Sequence, residues 1–355
     1  MSSRPHKGRG AVSRRDGRFV TRPVEFSEAE ANSRAAQTPE TVLTAMRRAG
    51  RIISHNTSPD VPFDRSINPY QGCEHGCIYC YARPSHSYLD LSPGLDFETR
   101  IFYKPNAALL LLDEWEKRGY DCKPITIGAN TDPYQPAEKT TRVTRQLLEM
   151  FKKHRHPVNL ITKGNLITRD IDLLSWLAER SLCSVAISLP TMSASLKRIM
   201  EPRVPSAKSR LKAIEELTRN GVPTSVLVAP IIPAINDDEI EHILEAVAGA
   251  GATHASYIFL RLPHEVKTLF VEWLAVHFPD RAEHVMSLVR QASGGQDYDH
   301  RYGVRQRGRG PYADMLGARF RAACKRFGLA GNRYQLKLQC DQFKPPGQQQ
   351  LALNL

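Results

Sequence analysis

The sequence predicts a parallel α/β fold on three observations. Short apolar runs alternate with amphipathic stretches from about residue 38 onward. The runs are apolar nearly throughout, as strands are in sheets covered on both faces. Their order is strictly strand then helix, which demands parallel pairing through right-handed crossovers. The first strand is expected at 66–70 (SINPY), followed by a loop rich in cysteine and then a helix at 105–119 (PNAALLLLDEWEKRG). A β-branched run at 124–130 (PITIGAN) gives the second strand, closed by a polar turn. Helical spacing of Val143, Leu147, Met150 and Phe151 precedes a third strand at 157–164 (PVNLITKG), stopped by glycine. The pattern repeats with strands at 183–190, 223–233 and 254–263, each after an amphipathic stretch. A further helix is expected at 265–278, and two more at 281–293 and 312–328. Either a barrel or an open doubly wound sheet satisfies this order, and both collect chemistry at the carboxyl ends of the strands. The polar residues there are Asn130, Thr131 and Asp132 after the second strand, Lys163 after the third, and Ser188 and Thr191 at the fourth.

The chain divides into a basic arm (1–37), a core with an N-terminal extension (38–280) and a helical C-terminal extension with a tail (281–355). Residues 1–22 hold Arg4, Lys7, Arg9, Arg14, Arg15, Arg18 and Arg22 against Asp16, with too little apolar surface to offset ordering entropy, so disorder is expected. The tail at 343–355 (FKPPGQQQLALNL) reads as poorly ordered too. A net charge of +12 suggests polyanion binding by the arm and by the stretch HRYGVRQRGRGPY at 300–312, where arginines interleave with tyrosines. The bland alternatives are a solubilising tail and a charged surface loop. No apolar run approaches the roughly 18 residues of a membrane span, and the N-terminus lacks an apolar signal region, so a cytoplasmic protein is expected. Oligomeric state is not legible.

Cys73, Cys77 and Cys80 lie in CEHGCIYCYA with a C-x3-C-x2-C spacing, which leaves a tetrahedral metal site one protein ligand short. Zinc is the competing reading, with His75 or His86 as the fourth ligand. It lacks a second cysteine pair, because Cys122, Cys183, Cys324 and Cys340 are scattered singly. Soft thiolates in a short loop suit iron and sulfide, and three cysteines on a four-iron cubane leave one iron open.

This spacing, with Tyr79 before the last cysteine and the loop after the first strand of a βα repeat, resembles the radical SAM superfamily. The resemblance implies a partial (β/α)6 barrel of the TIM type. It also implies a 4Fe-4S cluster on Cys73, Cys77 and Cys80 that chelates S-adenosylmethionine and cleaves it reductively to a 5'-deoxyadenosyl radical. An external electron donor such as flavodoxin or ferredoxin would then be needed. GANTDPYQP at 128–136 stands where many members have a Gly-Gly-Glu stretch, and Asn130, Thr131 and Asp132 are chemically able to replace its contact to the methionine amine, against their reading as a plain turn and helix cap. Ser188 matches a place that contacts ribose or carboxylate, and Tyr79 is placed against adenine. Within the superfamily, GANTDPYQPAEKTTRVTRQLLEM, ITKG, APIIPAIND and NPYQGCEHGCIYCYA are most similar to the spore photoproduct lyase group of DNA-repair lyases. That likeness makes Cys122 a candidate hydrogen donor, against its reading as a small buried residue, and nucleic acid or a nucleotide the expected substrate. The alternatives are a peptide or small metabolite as substrate, or a non-enzymatic iron-sulfur protein that binds nucleic acid or senses redox state.

Overall fold

Each of the six expected apolar runs forms a strand of one sheet in the computed structural model, which describes residues 6–20, 40–47, 50–330 and 337–347. Among the described residues ten strands, numbered in chain order, are β1 (Val42–Ala45), β2 (Ile53–His55), β3 (Arg65–Ile67), β4 (Tyr70–Gln71), β5 (Arg100–Tyr103), β6 (Ile125–Ile127), β7 (Val158–Thr162), β8 (Cys183–Ser188), β9 (Thr224–Ile231) and β10 (His254–Phe259). The main sheet runs β10-β9-β8-β7-β6-β3-β2, parallel except for β2, which pairs antiparallel with β3. The six parallel strands thus follow one another in chain order, as successive right-handed βα units require, and the sheet curls into a barrel that is not closed.

Strand alternation separates the two faces. On β8, Cys183, Val185 and Ile187 enter the outer apolar core, while Ser188 faces the lumen. On β10, Ala255, Tyr257 and Phe259 join the same core, whereas Ser256 and Ile258 line the interior. Small residues inside leave room for a ligand in place of the layered packing of a filled barrel.

The helices cover the outer face because their apolar stripes match it. The helix Val143–His154 buries Val143, Leu147, Leu148 and Phe151. The helix Ala207–Arg219 starts at Ser206, whose hydroxyl accepts from Ser209 N at 3.2 Å, and it buries Arg210 among Ala207, Ala213, Ile214 and Leu217. The two C-terminal helices lie at Ala282–Ala292 and Pro311–Arg326. Among the described residues no helix is long and apolar enough to cross a membrane.

Four features depart from the sequence expectation. A small second sheet, β1-β5-β4, and the edge strand β2 had no signal, being two to four residues long. Residues 6–20 of the arm are not disordered: they lie on the body, with Ala11 and Val12 buried, because acidic side chains of the core receive the arm's donors. The rest of the arm, 1–5 and 21–37, lies outside the described residues. The start of the tail is also held, since Phe343 packs edge-on to His156 at 5.0 Å and Trp115 at 5.7 Å, and Lys344 N donates to the His154 carbonyl at 2.8 Å.

The open side of the barrel, between β10 and β2, is spanned by the arginine-rich stretch. Phe259 N donates to the Gln306 carbonyl at 2.8 Å, extending the β10 edge. Gly303 N donates to Asp60 Oδ1 at 2.6 Å, and Arg305 pairs with Asp60 and Ser58 in the segment after β2.

His156 gives the outer core a pH dependence. It stacks on Trp115 at 4.8 Å, Nδ1–H donates to the Pro157 carbonyl at 3.0 Å, and Nε2 accepts from the Tyr120 hydroxyl at 2.9 Å. Burial pushes its pKa from 6.5 down to about 3. Between those values the unfolded chain carries a proton that the folded one does not, so stability is complete above pH 6.5 and is lost as pH falls. The loss from this residue should be about 1.4 kcal/mol per pH unit in that window. Urea unfolding from pH 7 to 4 should show it, and His156→Phe should flatten the dependence.

Candidate active site

Cys73, Cys77 and Cys80 lie in a loop that folds back on itself with little regular structure, so its shape is imposed from outside. Gly72 and Gly76 take positive φ (83° and 65°) where the chain reverses. Cys73 N donates to the Phe97 carbonyl at 2.9 Å and Ile78 N to the Met200 carbonyl at 3.1 Å. The Arg83 guanidinium, fully buried, donates to the Cys77 carbonyl at 2.9 Å, the Gly76 carbonyl at 3.2 Å and the Gly94 carbonyl at 2.9 Å. It also pairs with the equally buried Glu98 carboxylate at 2.5 Å.

The stretch after β6 braces the other side of the loop. Gln135 Nε2 donates to the Gly72 carbonyl at 3.2 Å, and its Oε1 accepts from Glu74 N at 2.9 Å. Asp132 accepts from Thr162 Oγ1 at 2.5 Å, Lys163 N at 2.7 Å and Tyr134 N at 2.9 Å, and approaches His75 Nδ1 at 3.3 Å. Burial opposes ionisation of Asp132, but His75, Thr162 and Lys163 outweigh it and hold its carboxyl down to about 2.

A second buried charge pair underlies the loop. Arg210 Nη2 donates to Glu201 Oε2 at 2.6 Å and Nη1 to the Ser188 carbonyl at 2.8 Å. The Tyr79 hydroxyl donates to Glu201 Oε1, and the Cys77 thiol lies 4.0 Å from the same oxygen. Burial works against the Glu201 anion, yet Arg210, Lys163 and Tyr79 keep its pKa below the usual carboxylate range.

These elements border a cavity of about 620 Å³ at the carboxyl ends of the strands. Tyr79, Cys80, Asn130, Asp132, Lys163 and Ser188 all line it, so most of the sequence-expected residues converge on one space. Two do not. Thr131 is buried with its hydroxyl donating to the Tyr70 carbonyl at 2.7 Å, which makes it a brace for the loop and not a ligand contact. Cys122 precedes β6, at the end of that strand opposite Asn130, and its thiol is hydrogen-bonded to that of Cys340. It lies outside the cavity, so the expected hydrogen donor is not at the site. Thr191 is likewise turned away, to Glu239.

Arg83, Glu98, Gln135, Glu201 and Arg210 went unnoticed in the sequence. Only Arg210 left a signal there: a charge on the apolar stripe of its helix, in step with Ala213, Ile214 and Leu217.

The loop's donor set fits an iron-sulfur cluster. The thiols lie close enough to perturb one another: burial raises the Cys73 pKa, followed by Asp132, Cys77 and Cys80, and burial pushes Cys77 up to about 12. Iron held there would supply the positive charge that such buried sulfurs lack and would favour their thiolate form. Among the described residues no side chain is grouped with the three thiols as the fourth ligand that zinc would need. His75 faces Asp132, and His86 Nε2–H donates to the Arg100 carbonyl at 3.0 Å. Among the described residues no three His, Cys, Asp or Glu side chains are grouped around a single-ion site.

Replacing Cys73, Cys77 or Cys80 singly by alanine should abolish the visible absorbance of protein reconstituted anaerobically with iron and sulfide. Cys183→Ala and Cys324→Ala should retain it; a loop variant with full iron content would refute the assignment. Arg83→Met leaves Glu98 buried without its cation, so chemical denaturation should register a loss of about 3–5 kcal/mol.

Comparison with known proteins agrees with this geometry. Residues 67–247 match the family model described as the radical SAM superfamily, spanning β3 to the helix Ile240–Gly249. An uncharacterized protein of Mycobacterium tuberculosis is 34% identical over 233 residues, covering 65% of this chain and 68% of that protein. A radical SAM Nalpha-GlyT isomerase of Pseudomonas phage M6 is 26% identical over 231 residues, covering 64% of this chain and 46% of its own. The structure of spore photoproduct lyase complexed with dinucleoside spore photoproduct is similar in fold, with a TM-score of 0.59 at 16% identity, over 89% of this chain and 88% of that one. The cysteine loop, its place after the first parallel strand, the open six-stranded barrel and the matched region coincide, and the chain belongs to the radical SAM superfamily.

Proposed function

We propose that the protein binds a 4Fe-4S cluster through Cys73, Cys77 and Cys80, uses it with S-adenosylmethionine, and acts on a nucleic acid or nucleotide. The observation that carries the substrate class is that one cavity is lined both by the cysteine loop, through Tyr79, Cys80 and Tyr81, and by Arg261, Arg305 and Arg307. When bound, the cluster and S-adenosylmethionine supply one-electron cleavage of a carbon–sulfur bond and hydrogen abstraction. The protein's part is to orient, to exclude water and to hold charge. Ser188, Asn130 and Lys163 offer polar groups to the cofactor on the cysteine side. An external one-electron donor of the flavodoxin or ferredoxin type completes the reading.

The arginines differ in what they have left to offer. Arg305 is ion-paired with Asp60, and Arg301 with Asp299 at 2.6 Å. Arg307 stands 4.2 Å over the Tyr257 ring and donates to Ser256 Oγ at 3.2 Å, while Arg261 donates to the Tyr298 hydroxyl at 3.3 Å. Among the described residues neither is in a salt bridge, which suits them to phosphate. Tyr81, beside Arg261, and Tyr302, beside Arg305, are exposed and suit base stacking. The likeness in fold to a lyase solved with a dinucleoside bound supports the same class.

The test is the rate at which reduced protein converts S-adenosylmethionine to 5'-deoxyadenosine. Damaged or modified oligonucleotides should raise it above the substrate-free rate, and Arg307→Ala and Arg261→Ala should each lower the slope of log affinity against log salt by about one. Arg301→Ala should leave the slope unchanged. A peptide or metabolite pool that raises the rate where oligonucleotides do not would overturn the nucleic-acid reading and favour modification of such a substrate.

A further inference from the structure

We infer that residues 9–11 form part of the wall of the cluster site, and that the strap of residues 6–20 shields the cysteine loop from solvent. The inference deepens the cluster reading above and rests on it. Gly10 N donates to Glu98 Oε2 at 3.0 Å, Ala11 N to Glu98 Oε1 at 2.8 Å, and Arg9 Nη1 to the Glu98 carbonyl at 3.1 Å. The same carboxylate receives Arg83, whose guanidinium holds the Gly76 and Cys77 carbonyls. One buried carboxylate therefore ties the strap to the loop that carries the ligands.

The contact is backbone against backbone. A Cβ on Gly10 would stand 1.8 Å from the Gly76 carbonyl oxygen, and one on Gly76 would stand 2.7 Å from Glu98 Oε2. Neither glycine has room for a side chain, and the strap seats only because both lack one. Ala11, fully buried, packs in the same apolar cluster as Cys77 and Ile78. Further along, ion pairs fasten the strap from outside: Arg14 to Asp96 at 2.7 Å and Arg18 to Glu265 at 2.9 Å, with Ser13 donating to Glu272 at 2.7 Å. Arg14, Arg15 and Arg18 thus engage acids of the protein itself. Because hydrogen bonding and exposure to solvent set the potential of a cluster, a strap at this place acts on stability and potential together.

The experiment compares two truncations, of residues 1–8 and 1–12, with Gly10→Val in the full chain. In metal-free protein, hydrogen exchange at Cys73 N and Ile78 N is followed; in reconstituted protein, iron loss to a chelator and the midpoint potential. The shorter truncation keeps the clamp and should match wild type. The longer one and Gly10→Val should speed exchange and iron loss about tenfold or more, as loss of charge-assisted hydrogen bonds requires, and move the potential to more positive values. Circular dichroism should report an intact barrel. If the longer truncation fails to fold, Gly10→Val decides. Wild-type exchange and iron retention in a folded variant lacking the clamp would overturn the inference. A wild-type chain that takes up no iron would instead sink the cluster reading, and exchange in metal-free protein would still decide whether the strap covers the loop.

Discussion

The pairing of Arg83 with Glu98 inside the protein is the interaction on which the site depends. Both side chains are fully buried, and burying two charges is tolerable only when every remaining donor and acceptor is used. That condition is met. Arg83 serves the carbonyls of Cys77, Gly76, Pro93 and Gly94 besides the carboxylate, and Glu98 serves Gly10 and Ala11 besides the guanidinium. A loop with two glycines at positive φ has little stiffness of its own. It acquires a fixed shape because a planar, multivalent donor reads several of its carbonyls at once.

The pair Glu201–Arg210 does comparable work on the sheet side, at 2.6 Å and with both members fully buried. Through Tyr79 it reaches the cysteine loop, and through the Ser188 carbonyl it reaches the end of β8. The two networks enclose the ligand-bearing segment between the N-terminal strap and the barrel. Such networks hold one arrangement strongly because a partner lost from either would leave a buried charge unmet. On the proposed cluster reading, a loop that holds three sulfurs in register for a polynuclear group has use for that rigidity.

An incomplete barrel poses a different problem, since its last strand and its first leave an edge apart. Here the gap is crossed by the stretch around Gly303–Arg307, which adds a hydrogen bond to the β10 edge and a latch to Asp60. The same stretch carries Arg307 onto the cavity wall. Structural closure and the placement of positive charge beside the site are therefore achieved by one piece of chain. Arg305 shows the division of labour, its charge being taken up by Asp60.

What the sequence determined by itself was whatever is local in character. Period-two and period-3.6 patterns act over about ten residues, so the six βα units and most of their order were legible. The cysteine spacing was legible for the same reason, being confined to eight residues from Cys73 to Cys80. Tyr79, Asp132 and Ser188 could be placed near the site because strand ends in such folds point one way. What only the tertiary structure decided depends on partners far apart in the chain. The basic arm looked disordered because nothing nearby holds it; Glu98, which does, lies 88 residues from Gly10. Thr131 is a ligand contact by pattern but a brace in the fold, its hydroxyl donating to the Tyr70 carbonyl, and Cys122 lies at the end of β6 away from the cavity. Hydrophobic pattern records which face is buried, but it carries no record of which charges meet across the core.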